Sequence, residues 1–395
     1  MPFSALPGFR DFYPDDMAVR NHIFAVWRDV ARRYGFEEVD GPPLESLDLF
    51  VAKSGPEIVQ QLYAFTDKGD RQVALRAEMT PTLARMAGAR AGGLRKPIKW
   101  FSVPQLFRYE RAQRGRLREH FQLNMDIIGE PGIGADAELL AAALDVVRSF
   151  GLGPRDVIAR VSSRGLLAAL LTGAGVDDER LPLVYNLIDK LEREGAGKVA
   201  DRLRSDAQLD PKVVDAVLEP FAQPDLEGAR AAVRTDEAGA ELQAVEDLFA
   251  RLRAMGMDEF LRFDLSIVRG LAYYTGIVWE LFDVAGELRA VAGGGRYDRL
   301  LAHLTDVDLP ALGFGMGDVV LRELLSDKGL LPSTDRTMDF FVVAVSEDQR
   351  EAVLSLVSRL RGSGRSVDYS LSGGGVGKQF KAASAAGATR VVVIG

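Results

Sequence analysis

No cysteine occurs in the 395 residues of this chain, which excludes disulfides, thiolate zinc sites and cysteine nucleophiles together. Histidine is scarce as well. His22, His120 and His303 are too scattered for a histidine-rich metal site, so any metal is expected to be magnesium held by carboxylates and substrate phosphates. No apolar run approaches the roughly 18 residues needed to cross a bilayer. The opening MPFSALPGFRDFYP lacks the basic-then-apolar layout of a secretion signal, and a cytoplasmic location is the expectation. Positive charge is in the minority, 49 Lys and Arg against 57 Asp and Glu for a net −8, which argues against indiscriminate coating of nucleic acid. What is present, 47% hydrophobic and 27% charged residues, is ordinary for a globular protein. The length suits two or three domains.

Against that acidic background, five arginines fall between positions 108 and 118 (Arg108, Arg111, Arg114, Arg116, Arg118). The spacing predicts a hairpin: strand, short basic loop around Gly115, strand. Residues two apart on a strand share a face, so Arg108 and Glu110 point the same way. On the return strand Arg118, His120, Gln122, Asn124 and Asp126 share one face, with Phe121, Leu123, Met125 and Ile127 opposite. A sheet packed on one side and working on the other has this pattern. Guanidinium groups beside backbone amides suit a polyphosphate; a solvated charged hairpin is the competing reading, and the polar-face ladder ending in Gln122 and Asp126 weighs against it.

Around this stretch the chain divides. Residues 16–34 have a helical period with Asp15 as N-cap and Gly35 as stop. FEEVDGPPLES reads as a strand ended by Pro42 and Pro43. Thr80 before Pro81 fits an N-cap followed by proline at the first helical position. From about Leu166 to Gly256 the text becomes rich in Ala, Leu, Asp and Arg and reads as successive helices, after which strand-like segments return. SDKGLLPSTDRTM is a linker by content, and beyond it a βαβαβ pattern predicts a small α/β domain with parallel strands.

Further segments have chemistry as one of two readings. Glu78 and Thr80 sit at a strand-to-helix turn, or simply cap it. Arg269 in VRGLAYYTGIVWE needs an anion, from a ligand or an internal carboxylate. The glycines of AGGGRYD allow close backbone approach to a ligand or a tight turn. Those of GFGMGDVVL open a helix whose free amides suit a phosphate, or merely pack it closely. SGGGVGKQ is rejected as a phosphate loop, because Ser372 and Gln379 occupy the positions of its first glycine and its magnesium-binding hydroxyl.

In order and spacing these segments resemble the histidyl-tRNA synthetases, a class II aminoacyl-tRNA synthetase family, over nearly the whole chain. GFRDFYP is similar to the family's opening, and YGFEEVDGP, with Pro42, resembles motif 1, a dimer-interface element. FRYERAQRGRLREHFQLNMDIIG resembles motif 2. VRGLAYYTG and GGGRYD resemble the two histidine signatures, and the last domain resembles an anticodon-binding module. The implied fold is α+β: a class II synthetase-type antiparallel sheet flanked by helices (1–165 and 257–326), with a helical insertion (166–256). A linker (327–335) leads to an anticodon-binding-like α/β domain (336–395), short of that module's final strands and helix. The implied function is ATP-dependent activation of histidine to histidyl-adenylate and transfer to tRNA(His), with Mg2+ accompanying ATP, in a homodimer built through the motif 1 region.

Residue by residue, the resemblance implies that Arg108 holds the α-phosphate and the reacting carboxylate, Glu110 the adenine end and Arg116 the distal phosphates. Adenine stacks on the return strand, where alternation selects His120 over Phe121. Gln122 and Asp126 read the substrate imidazole, Glu78 and Thr80 grip its α-amino group, and Tyr273 and Tyr274 complete the pocket. Arg269 is the electrophilic arginine on the α-phosphate. Arg111 and Arg114 are left for the tRNA acceptor end. Two positions depart from the family pattern: Val320 stands where motif 3 carries an arginine for the γ-phosphate, with Arg322 on a different helix face, and Ala272 replaces an acidic residue of the signature. A non-catalytic regulatory subunit of ATP phosphoribosyltransferase in histidine biosynthesis, binding histidine and protein rather than tRNA, is the alternative implied.

Overall fold

The computed structural model describes residues 3–111, 113–267, 274–335 and 337–395. The chain forms two compact units, one of residues up to Asp11 with Arg20–Leu331, the other of Phe12–Val19 with Pro332–Gly395.

The larger unit is built on a nine-stranded sheet. Its order runs from β1 (Glu37–Glu38) through β5 (Ile98–Ser102), β7 (Glu119–Ile128), β12 (Ala311–Gly317), β11 (Ala292–Arg296), β10 (Ile277–Asp283) and β8 (Val157–Ser163) to β9 (Leu261–Phe263). The short β6 (Gln105–Phe107) pairs with the first residues of β7. The centre is antiparallel, and only the outer pairs β1–β5 and β8–β9 run parallel. A second small sheet orders β2 (Leu44–Ser46), β4 (Gln72–Leu75) and β3 (Ala64–Thr66).

Alternation in β7 decides which side of the sheet is filled. Leu123, Met125 and Ile127 are 0–2% exposed. The helix α4 (Ile133–Ser149) packs against β7, β11 and β12. Its run of alanines, Ala141, Ala142 and Ala143, is fully buried and allows close approach to the sheet. Helices occupy most of Arg164–Ala254. The last of them, α5 (Asp236–Ala254), lies on α4 and starts at Thr235, whose hydroxyl accepts from the Ala238 amide. The segment has its own apolar cluster, including Leu171, Val184, Leu203 and Val217.

Local readings needed adjustment at several points. The first helix, α1, spans Pro14–Arg33, so Asp15 lies in its first turn rather than capping it; Gly35, at φ +73°, follows it. The strand read across FEEVDGPPLES is two short ones, β1 and β2, in different sheets. Helix α2 (Leu47–Ser54) comes next. The N-cap of α3 (Thr80–Arg90) is Met79, and Thr80 is the first helical residue. GGGR is strand β11 rather than a turn, and GFGMG is the end of strand β12, whose last residue, Gly317, is the N-cap of the helix that begins at Asp318.

In the smaller unit, β14 (Val367–Tyr369), β13 (Met338–Ala344) and β15 (Ala388–Ile394) form a parallel sheet in that order, with α7 (Arg350–Gly362) and α8 (Val376–Ala385) between the strands in sequence. Gln379 is buried, bonding the amide and carbonyl of Ala344 and the carbonyl of Gly374 at 2.7–3.0 Å. The side chain in the suspected phosphate-loop position therefore stitches backbone.

Candidate active site

The open face of the large sheet holds a cleft of about 860 Å³, within the range of a small-molecule site. Register explains why it is hollow. Gly313, Gly315 and Gly317 of β12 lie opposite Asp126, Asn124 and Gln122 of β7, and Gly293 of β11 lies opposite Gly315. Paired residues share a face, so the middle of this layer is made of residues without side chains. Around it stand Gln122, Asn124 and Asp126 on one side and Glu280 and Phe282 of β10 on the other. Side chains added to the floor would reach into it: a Cβ on Gly313 would stand 2.0 Å from Asp126 Oδ1, and one on Gly315 would stand 2.7 Å from the Gln122 amide.

Nine of the eleven residues expected at the site line this one cleft: Glu78, Thr80, Arg108, Glu110, Arg116, His120, Gln122, Asp126 and Tyr274. Arg269 and Tyr273 lie outside the described residues. The hairpin differs from expectation in its first arm. Strand β6 stops at Phe107, and Arg108 and Glu110 belong to a loop closed by a Gln113–Arg116 bridge, with Gly115 at φ +70°. They reach the cleft through specific bonds rather than strand alternation. Arg108 donates its backbone N–H to the Arg118 carbonyl (2.9 Å) and its Nε–H to the Ala77 carbonyl (3.0 Å). Glu110 pairs with Arg116. Arg118 does not share the working face of His120: it lies over the Tyr109 ring, 4.6 Å from its centroid, and donates to the Glu110 carbonyl. At the loop tip Arg114 is paired with Glu323 and Asp327 of α6 (Asp318–Asp327), and Arg111 is exposed.

Electrostatics divide the cleft in two. At the arginine end, desolvation lowers the pKa of His120 to about 3, assisted by Arg108, Arg10 and Arg116, so its ring is neutral. At the far end Asp126 is 4% exposed and accepts a hydrogen bond from the Tyr297 hydroxyl. Burial pushes its pKa up to about 7, while the Tyr297 bond and the charge of Lys53 pull downwards.

Sequence reasoning missed three supports. Lys53, at the end of α2, has its side chain only 3% exposed and pairs with Glu78; one lysine in an apolar helix is no signal by itself. Tyr297, within the quoted GGGRYD, orients Asp126, whereas the adjacent Arg296 turns away to the buried Asp136 and to the carbonyls of Glu130 and Gly132. Arg10, in the quoted GFRDFYP, bridges Glu119 (2.7 Å) of β7 and Asp318 (2.9 Å) of α6. Asp318 in turn accepts from the Phe121 amide (2.8 Å).

Two results are expected of this architecture. Gly315→Ala moves only the far end of a flexible glutamine, so the fold persists while Gln122 is displaced. Affinity for a ligand bonded to Gln122 should fall by about 10–100-fold with an unchanged melting temperature; calorimetric titration and a thermal scan check both halves. Lys53→Met leaves Glu78 without its lysine, and should lower the melting temperature by several degrees. Adding Glu78→Gln should recover part of that loss, and additive losses would contradict the pairing.

The sequence model described as Histidyl-tRNA synthetase matches residues 8–318, and that of an Anticodon binding domain matches residues 339–395. A histidine–tRNA ligase from Opitutus terrae is 46% identical over 397 residues, spanning 100% of this chain and 91% of the relative. Among solved structures, histidyl-tRNA synthetase from Nostoc superposes with a TM-score of 0.83 at 24% identity, covering 98% of this chain and 90% of that one. A Bacillus halodurans protein described as an ATP phosphoribosyltransferase regulatory subunit/histidyl-tRNA synthetase reaches 0.82 at 22% identity, covering 100% and 98%. Likenesses at such low identity carry the fold alone.

Proposed function

The chain belongs to the histidyl-tRNA synthetase family, and from that premise we propose how its own residues carry the reaction. Family membership makes histidine, ATP and tRNA its ligands and the charging of tRNA with histidine its reaction. The regulatory-subunit reading gains no support from a 22%-identical fold likeness.

The observation that carries the residue assignment is the convergence of nine expected side chains on one cleft with two electrostatically distinct ends. Histidine occupies the glycine-floored end. Gln122 and Asp126 pair with its ring nitrogens, and Tyr297 holds Asp126 in place. Glu78, with Thr80, takes the α-amino group, and Tyr274 walls the pocket together with Tyr273. ATP occupies the arginine end. Adenine stacks on the neutral ring of His120 beside Glu110, Arg116 takes the distal phosphates, and Mg2+ arrives with the phosphates of ATP as part of that substrate.

A carboxylate oxygen of histidine then attacks the α-phosphorus. The bond from that phosphorus to the bridging oxygen breaks, and pyrophosphate leaves with the electron pair. Negative charge grows on the equatorial oxygens, where Arg108, with Arg269 as second arginine, stabilises it without a general base. In the second step a terminal ribose hydroxyl of tRNA attacks the histidyl carbonyl carbon, the bond from that carbon to the phosphate oxygen breaks, and AMP departs with the electron pair while the hydroxyl proton is released. Arg111, exposed at the hairpin tip, faces the acceptor end; Arg114 joins it only by exchanging Glu323 and Asp327 for phosphate. The family match over 339–395 supports anticodon recognition by the last domain. The homodimer is proposed through the motif 1 region, supported by the position of β1 at the end of its sheet, where one strand edge is unpaired among the described residues.

Histidine-dependent ATP–pyrophosphate exchange, followed by charging of tRNA(His), tests this reading. Exchange with histidine and not with other amino acids is expected. Retained histidine binding without any exchange by folded protein would return the regulatory reading.

A further inference from the structure

Position 320 lies on the cleft wall, in the first turn of α6, and presents a valine. Arg322, two residues on, does not line the cleft. Another guanidinium does. Arg289 sits on the connection between β10 and β11, beside Leu288, Ala290 and Val291, all cleft-lining. A methyl group placed on Gly115 would stand 3.5 Å from Val320 Cγ2 and 3.8 Å from Arg289 Cδ. The valine and the arginine therefore adjoin the same point of the hairpin tip, from α6 and from the β10–β11 connection respectively.

The charges around that point are unevenly satisfied. Arg116 has Glu110, and Arg114 has Glu323 and Asp327. Arg289 is exposed and has no carboxylate partner among the described residues. It acts instead on Arg116 as a like charge, lowering the pKa of that arginine after desolvation and ahead of Arg108. Arg108, Arg116 and Arg289 line one end of the cleft, and of these only Arg116 has a carboxylate partner among the described residues, so together they make an anion site.

Its presentation is fixed by the backbone. Asp283, 5% exposed, accepts hydrogen bonds from the amides of Glu287 (3.1 Å) and Leu288 (3.0 Å), immediately before Arg289. Gly286, at φ +71°, turns the chain, and the Val291 amide returns to the Leu281 carbonyl at 2.7 Å.

We propose that Arg289 binds the terminal phosphates of ATP, supplying from the β10–β11 connection the guanidinium that position 320 lacks. This rests on the assignment of the arginine end to ATP.

Histidine-dependent ATP–pyrophosphate exchange distinguishes the two levels. R289A should raise the KM for ATP by about tenfold or more and shift the KM for histidine by less than about twofold. R289K, which keeps the charge and loses the fork, should fall between. Introducing V320R into R289A should recover much of the ATP affinity. An R289A enzyme with unaltered KM for ATP overturns the inference while leaving the reaction in place. Equal losses for ATP and histidine, or no recovery with arginine at 320, overturn it too. Absence of exchange in the unmodified protein would remove the ATP assignment and this inference with it.

Discussion

Replacing Arg108 with alanine is expected to lower the rate of histidine-dependent ATP–pyrophosphate exchange by about a thousandfold. The side chain is held by its Nε–H on the Ala77 carbonyl and by its backbone on Arg118, so its terminal nitrogens meet the cleft already oriented. A group positioned before the reaction stabilises charge that appears only in the transition state, and its loss falls on kcat rather than KM. Lysine should rescue little, because one ammonium cannot contact two oxygens in the geometry of a planar fork. Steady-state exchange kinetics over a range of ATP concentrations check this. An unchanged kcat with a raised KM for ATP would reduce Arg108 to a ground-state contact.

The second large effect is expected at Asp126. Asp126→Asn keeps the shape and the acceptor for the Tyr297 hydroxyl but removes the carboxylate proposed to pair with the substrate imidazole. The kcat/KM for histidine should fall by about three orders of magnitude, since a buried charge-assisted pair is lost where the competing ligands have nothing to offer. The same substitution has a signature in stability. The folded-state pKa of about 7 lies above the ordinary carboxyl value of 3.8, chiefly through burial. Between those values the folded protein keeps a proton that the unfolded chain has lost. The stabilising contribution is full below about pH 4 and drains away as pH rises to about 7. The melting temperature of the unmodified protein should therefore decline relative to Asp126→Asn from pH 5 to 7 and hold level above. A constant difference across that range would contradict a protonated Asp126 in the free protein.

The legible parts of the fold and site were those written locally. Period-two alternation in HFQLNMDI predicted which residues of β7 face the cleft, because a strand repeats over two residues whatever surrounds it. The helical run and the terminal parallel sheet were visible for the same reason. Arg108 and Glu110 reached the cleft for a different reason than expected: the strand ends before them, and bonds to Ala77 and Arg116 aim them. The glycines of GFGMG do lead into a helix, with Gly317 as its N-cap, but their alternation, 313, 315 and 317, is also a strand signal, and that part went unread. Lys53 and Arg289 were illegible. Each acts through partners far away in sequence, Lys53 on Glu78 and Asp126, Arg289 beside Gly115 and Val320, and neither has a local pattern to mark it.

Arg10 has a consequence of another kind. It joins Glu119 and Asp318, which lie 109 and 308 positions further along the chain. During synthesis Arg10 leaves the ribosome 308 positions ahead of its second partner, which emerges only when most of the large unit has been made. Loop closure over that distance comes at an entropic cost that only the packed sheet repays. The arginine end of the cleft is thus a late product of folding, and a nascent or truncated chain lacking residue 318 has Arg10 without the partner through which it ties β7 to α6.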